Sequence, residues 1–219
     1  MRDEMPGASR GQKVLIIGFF VLPIVLTLGV LLSPAFRKLR AQQLAKNEQL
    51  LTAVEAGDLS RVKALLQAGA NVNTCTSGGL TALSLAVIRG YGEIALLLLD
   101  HGASLDARDK SGDRQQRSPG NSPVHYAAIY GRTRILERML QAGVSPNLRN
   151  KNGRTLLMLA AENGHVDTVQ LLLCAGADAN ARSALGETVL DCARRSKNPE
   201  VVRLIEGAIR FPAGGQAGG

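Results

Sequence analysis

The chain has 219 residues, 45% of them hydrophobic but only 3% aromatic, and it contains no Trp. A core built from Leu, Ala, Val and Ile suits thin helical layers and speaks against an aromatic-rich β-sandwich. The formal charge of +8 is uneven: residues 1–46 hold seven basic against two acidic side chains, while the rest holds nineteen against sixteen. A nucleic-acid partner is therefore not read from the total charge.

In chain order, residues 1–13 read as a polar tail. Val14 to Leu32, VLIIGFFVLPIVLTLGVLL, carries no charge. Nineteen residues in a helix reach about 28 Å, close to the hydrocarbon thickness of a bilayer. The run reads as a single N-terminal transmembrane helix, with Pro23 as a tolerated kink. A cleaved signal peptide ending near Ser33-Pro34-Ala35 competes with it, but the run is longer than the usual signal core. Residues 33–46 read as a basic connector in which Arg37, Lys38 and Arg40 would meet anionic lipid. The same cluster leans towards repeats on the cytoplasmic side, with a periplasmic or other extracytoplasmic placement as the alternative.

From residue 47 a period takes over. Alanines at 53, 86, 127, 160 and 193 are spaced 33, 41, 33 and 33. Glycines at 57, 90, 131 and 164 and at 69, 102, 143 and 176 keep the same period and the same single irregularity. Gly79, Gly112, Gly153 and Gly186 read as a further column. One unit shows the physics: Thr155 as a cap hydroxyl, a short apolar helix from Leu156, Gly164 where a left-handed turn is needed, a second helix from Val166 to Cys174, and Gly176 as its end. Such units bury their apolar faces only against neighbours.

The segments TALSLA (81–86), SPVHYAA (122–128) and TLLMLAA (155–161) resemble the T-P-L-H-x-A signature of ankyrin repeats. GANVN (69–73), GASLD (102–106), GVSPN (143–147) and GADAN (176–180) are similar to that family's G-A-D-V-N hairpin entry. The resemblance implies an all-α ankyrin-repeat solenoid, helix-turn-helix plus β-turn fingers, over residues 47–209. The repeats fall at about 47–75, 76–109, 110–150, 151–182 and 183–209. It implies neither substrate nor cofactor. The first and last repeats read as caps. Lys197 stands where a glycine is expected, with Asn198 able to take over the turn. Residues 210–219 read as a disordered tail. The irregularity is an eight-residue insertion, about Asp113 to Gly120, of loop composition.

No enzymatic chemistry is read. Cys75, Cys174 and Cys192 lack metal-type spacing and read as free, partly buried thiols. His101, His125 and His165 sit at structural places of the pattern, His125 bonding backbone at a turn, and no metal is expected. There is no phosphate-cradling glycine loop and no nucleophile elbow.

The binding signal is basic. Arg108, Arg149 and Arg182 each lie six residues after a closing glycine, so they recur on successive fingers. Lys110 and Lys151 follow at eight, and Arg114 and Arg117 extend the row. Arg89 and Tyr130 precede the inner-helix glycines, on the face that the resemblance places in a concave groove. These nine residues are the expected partner site, for a protein with an acidic patch and not for nucleic acid, since the fingers lack interleaved aromatics. Two functions follow: a membrane-tethered module that recruits a protein, or an exported repeat protein with a protective or effector role.

Overall fold

The structure, a computed structural model, describes residues 33–109 and 120–211. The chain divides into two units between Lys46 and Asn47. Ten helices form among the described residues: α1 (Pro34–Ala56), α2 (Leu59–Gln67), α3 (Ala82–Arg89), α4 (Gly92–Asp100), α5 (Pro123–Ile129), α6 (Thr133–Gln141), α7 (Leu156–Glu162), α8 (Val166–Cys174), α9 (Val189–Arg195) and α10 (Pro199–Arg210). In the second unit they stack as two layers. The inner layer runs α3, α5, α7, α9, and the outer one α2, α4, α6, α8, α10.

Each inner helix starts for a local reason. Thr81, Thr155 and Thr188 take extended backbone, and each hydroxyl accepts the amide hydrogen of the residue three ahead. That satisfies an N–H the helix cannot use itself. At the other end Gly90 adopts φ 82° and closes α3. The alanine column at 53, 86, 127, 160 and 193 is buried throughout. Its small side chains let neighbouring inner helices approach closely.

Repeats are also joined by side chains that reach back one repeat. Arg132 Nε donates to the Val87 carbonyl at 3.2 Å. His165 Nε2 lies 2.8 Å from the Ile129 carbonyl, and Asn198 Nδ2 donates to the Gly164 carbonyl at 3.1 Å. These residues share one register, each just ahead of an outer helix, and they serve carbonyls at inner-helix ends. A Cβ on Gly131 would stand 2.6 Å from the His165 ring, so glycine is needed there for space as well as for its φ of 62°.

The fingers are tight hairpins closed by isolated bridges, Cys75–Thr81, Arg149–Thr155 and Arg182–Thr188. Their turns share one hydrogen bond. Thr76 N–H donates to Leu80 O, Asn150 N–H to Arg154 O and Ser183 N–H to Glu187 O. In the second finger, which leads into repeat three, Asp109 N–H donates to Asn121 O at 3.1 Å, and Gly120 has φ 63°. Gly120 thus holds the place of Gly79, Gly153 and Gly186, and the column that used Gly112 is corrected. The extra residues precede this glycine, within 110–119, which lie outside the described residues. Lys197 is a second correction: it takes the left-handed turn itself, at φ 56°, and Asn198 caps α10.

The expected transmembrane helix is corrected. Among the described residues no helix is long and apolar enough to cross a membrane. The longest, α1, carries Arg37, Lys38, Arg40 and Lys46, and each such charge at a bilayer centre costs about 2.5–3.5 kcal/mol. The run Val14–Leu32 lies outside the described residues. The architecture is an all-α repeat stack, and the single-pass localisation is withdrawn with the span. Arg37, Lys38 and Arg40 are exposed on α1, and no lipid contact is assigned to them. Of the expected tail, Arg210 ends α10 and Phe211 is exposed, while 212–219 lie outside the described residues.

Candidate protein-binding surface

The three finger arginines are exposed, but their guanidinium groups are engaged. Arg108 Nη1 donates to Gly120 O and Nη2 to Arg149 O, both at 3.1 Å. Arg149 Nη1 donates to Gly153 O at 2.8 Å and to Arg182 O at 2.6 Å. Arg182 Nη1 donates to Gly186 O at 3.2 Å. Each arginine thus grips the tip of its own finger, and two of them also clamp the backbone of the next. The register that marked them as a binding ridge equally makes them staples between fingers. Arg149→Ala is expected to cost about 1–2 kcal/mol of stability, as two charge-assisted bonds are lost at an exposed site. Lys151→Ala should stay within about 0.5 kcal/mol. Urea unfolding of both variants separates a staple from a bystander, and equal midpoints would rule the staple out.

The remaining expected residues divide clearly. Lys151 is exposed on its finger, with its stem beside Gly120. Lys110, Arg114 and Arg117 lie outside the described residues. Arg89 is exposed at the last turn of α3. Tyr130 caps α5, is 41% exposed and stacks on Tyr126 with ring centroids 6.4 Å apart. The Tyr126 hydroxyl donates to the buried Asp109 carboxylate.

One cluster was missed. Arg154 and Arg195 both pair with Glu162, and Arg195 pairs with Glu187 at 2.7 Å. Both guanidinium groups also point at the buried Cys192 sulfur, at 3.6 and 3.4 Å. Burial opposes the Arg154 charge, but hydrogen bonds to Glu162 and Cys192 outweigh it and raise its pKa. Burial pushes the Cys192 thiol up, against both arginines. The signal was available in the sequence: Arg154 and Glu187, and Glu162 and Arg195, are opposite charges one 33-residue period apart. Cys75 and Cys174, expected to be partly buried, are exposed.

The histidines have local duties. His101 Nδ1 lies 2.9 Å from Leu97 O. Ser122 N–H donates to His125 Nδ1 at 3.2 Å, which places the imidazole proton on Nε2. No group of His, Cys, Asp and Glu among the described residues could hold a metal ion.

A family model described as ankyrin repeats matches three overlapping stretches, residues 31–109, 50–150 and 124–209. The chain belongs to the ankyrin-repeat family. As such the stack is a protein–protein interaction module. It is similar to the mouse ankyrin repeat domain-containing protein 63, 38% identical over 108 residues, which are 48% of this chain and 26% of the relative. It is also similar to the probable 26S proteasome regulatory subunit p28 of Saccharomyces cerevisiae, at 32% over 118 residues, 52% of this chain and 48% of the relative. A Caenorhabditis elegans E3 ubiquitin-protein ligase, hecd-1, is 30% identical over 122 residues, 55% of this chain but only 4% of the ligase. The match thus spans less than half the length of each of these relatives, and a likeness over 4% of a ligase carries no ligase chemistry.

Proposed function

We propose that the ankyrin stack is a non-catalytic recognition module that holds an acidic protein partner against its finger edge and concave groove. The proposed site comprises Arg89, Arg108, Lys110, Arg114, Arg117, Tyr130, Arg149, Lys151 and Arg182. The observation that carries it is the basic finger edge, where Arg149, Lys151 and Arg182 are exposed and the two arginines are held in place by backbone carbonyls. A charge fixed before binding loses little side-chain entropy when a partner arrives. A row of one sign steers encounter with the opposite sign. The yeast relative is named as a regulatory subunit of an assembly, a role that needs protein contacts.

Capture with the full chain should retain a protein whose contact surface is acidic. Reversing Arg114 and Arg117 to Glu, with Lys151→Glu, should slow its association about tenfold and flatten its salt dependence, with dissociation little changed. Association kinetics at two salt concentrations read this out. Loss of the captured material on nuclease treatment would make the ligand a nucleic acid and overturn the proposal.

A further inference from the structure

Each finger is held by the one before it, and the bonds recur. Between the third and fourth fingers, the Asp178 N–H donates to Asn147 Oδ1 at 2.8 Å. Arg149 Nη1 donates to Arg182 O at 2.6 Å, and the Ala184 N–H to Asn152 O at 3.0 Å. Between the first two fingers, the Ser104 N–H donates to Asn73 Oδ1 at 2.7 Å. The approach is close: a Cβ on Gly153 would stand 2.7 Å from the Ala184 amide nitrogen. The third finger thus offers its successor a carboxamide oxygen, a guanidinium and a carbonyl, and takes an N–H, a C=O and an N–H in return.

The fourth finger carries the same three groups and, among the described residues, has no successor. Asn180, Arg182 and Leu185 stand one 33-residue period after Asn147, Arg149 and Asn152. Arg182 reaches only Gly186 O, within its own finger. Asn180 is exposed, and Leu185 is 85% exposed. Among the described residues no N–H reaches the Asn180 carboxamide or the Leu185 carbonyl. Where Gly153 is covered, a Cβ on Gly186 would meet no atom within 4 Å.

The first finger leaves the complementary face bare. Its Asn71 N–H is already taken by Asn47 Oδ1 at 2.9 Å. The other two places, counted back by the same spacing, are the Cys75 carbonyl and the Ser77 N–H. Both residues are exposed, and neither group has a partner among the described residues. Residues 70–81 carry no charged side chain, so nothing in that finger repels a guanidinium. Two fourth fingers facing each other would instead set Arg182 against Arg182 and carbonyl against carbonyl.

We propose that the bare edge of the fourth finger docks the first finger of a second copy of this chain. Arg182 donates to the Cys75 carbonyl of the other copy, and that copy's Ser77 N–H donates to the Leu185 carbonyl. A row of unpaired polar groups is a template for another chain, and the contact continues the finger-to-finger interface already present inside the stack. Because the two ends are unlike, the contact does not close on itself, and copies add head to tail. The inference does not rest on the acidic-partner reading, which needs no second copy.

The test is sedimentation equilibrium of the full chain over a wide range of concentration. The average mass should rise with concentration beyond that of a dimer. Arg182→Glu should weaken association about tenfold. Arg203→Glu, the same charge change on the exposed face of α10, should leave it unaltered. Melting curves check that each variant folds. Crosslinking reads the direction: Leu185→Cys, combined with Cys174→Ser, places a thiol beside Cys75 of the other copy. A short bismaleimide should then give a ladder of dimers, trimers and longer products, and adding Cys75→Ser should abolish it. Crosslinked dimers that persist without Cys75 would join fourth fingers to each other and overturn the head-to-tail contact. A chain that stays monomeric, or that associates equally well with Arg182→Glu, overturns the proposal as a whole. Neither result bears on the acidic partner, which is absent from these samples.

Discussion

Leu157→Ala is expected to lower the stability of the stack by about 2–5 kcal/mol, the usual range for emptying a closed core site. Leu157 is fully buried on α7, and α7 packs on α5, α8 and α9 at once. Its surroundings cannot collapse cheaply, because the inner layer is already narrowed to alanine at Ala127, Ala160 and Ala193. Leu172→Ala on α8, equally buried, should behave alike. Leu185→Ala is the control: at 85% exposure on a finger tip it should stay within about 0.5 kcal/mol. Urea unfolding followed by circular dichroism gives all three. In a stack of nearest-neighbour contacts, a central cavity should also broaden the transition, since flanking repeats lose their coupling through it. A Leu157→Ala variant within about 1 kcal/mol of the parent would mean that inter-repeat packing is not what holds this unit together.

The same periodicity explains what the sequence made legible and what it hid. The buried alanine column and the threonine caps are fixed by local geometry, so spacing alone exposes them. The insertion was harder. Eight extra residues can be placed after Gly112 or before Gly120 with identical arithmetic, and only the Asp109–Asn121 hydrogen bond and the φ of Gly120 decide. Lys197 shows a limit of residue-type reasoning: tertiary context holds a lysine left-handed where Asn198 looked better suited.

The binding surface was legible by position and opaque by partner. Spacing placed Arg108, Arg149 and Arg182 in one row, yet it could not say that each guanidinium already grips carbonyls of the fingers. A side chain long enough to reach a ligand is also long enough to reach the next repeat. Arg89 and Tyr130, at the inner-helix ends, stay exposed. The N-terminal apolar run teaches a different point. Hydropathy speaks of one segment, and the expected span ahead of α1 fell outside the described residues, so the fold that stands is the repeat stack.

The second large effect is expected in acid. His125 is fully buried, its Nδ1 accepts the Ser122 N–H, and among the described residues its Nε2–H has no acceptor. Burial lowers its pKa to about 4, with Arg108 adding to the shift and Asp109 opposing it. An unfolded histidine titrates near 6.5. Between these two values the unfolded chain binds a proton that the folded chain refuses, so stability rises with pH across that window. The contribution is complete above about pH 6.5 and is lost progressively as pH falls towards about 4. Unfolding free energies from urea titrations at pH 7 and pH 4.5 should differ by about 2–3 kcal/mol on this account. His125→Gln keeps an acceptor for the Ser122 amide and removes the titration, so its stability should be nearly flat over the same range, though lower at neutral pH. Asp191, whose pKa is lowered by hydrogen bonds from Thr188, loses its contribution only below the ordinary carboxylate range and does not mask the effect. If His125→Gln kept the full acid dependence of the parent, the loss would belong to other groups, and the buried imidazole would carry no pH sensitivity.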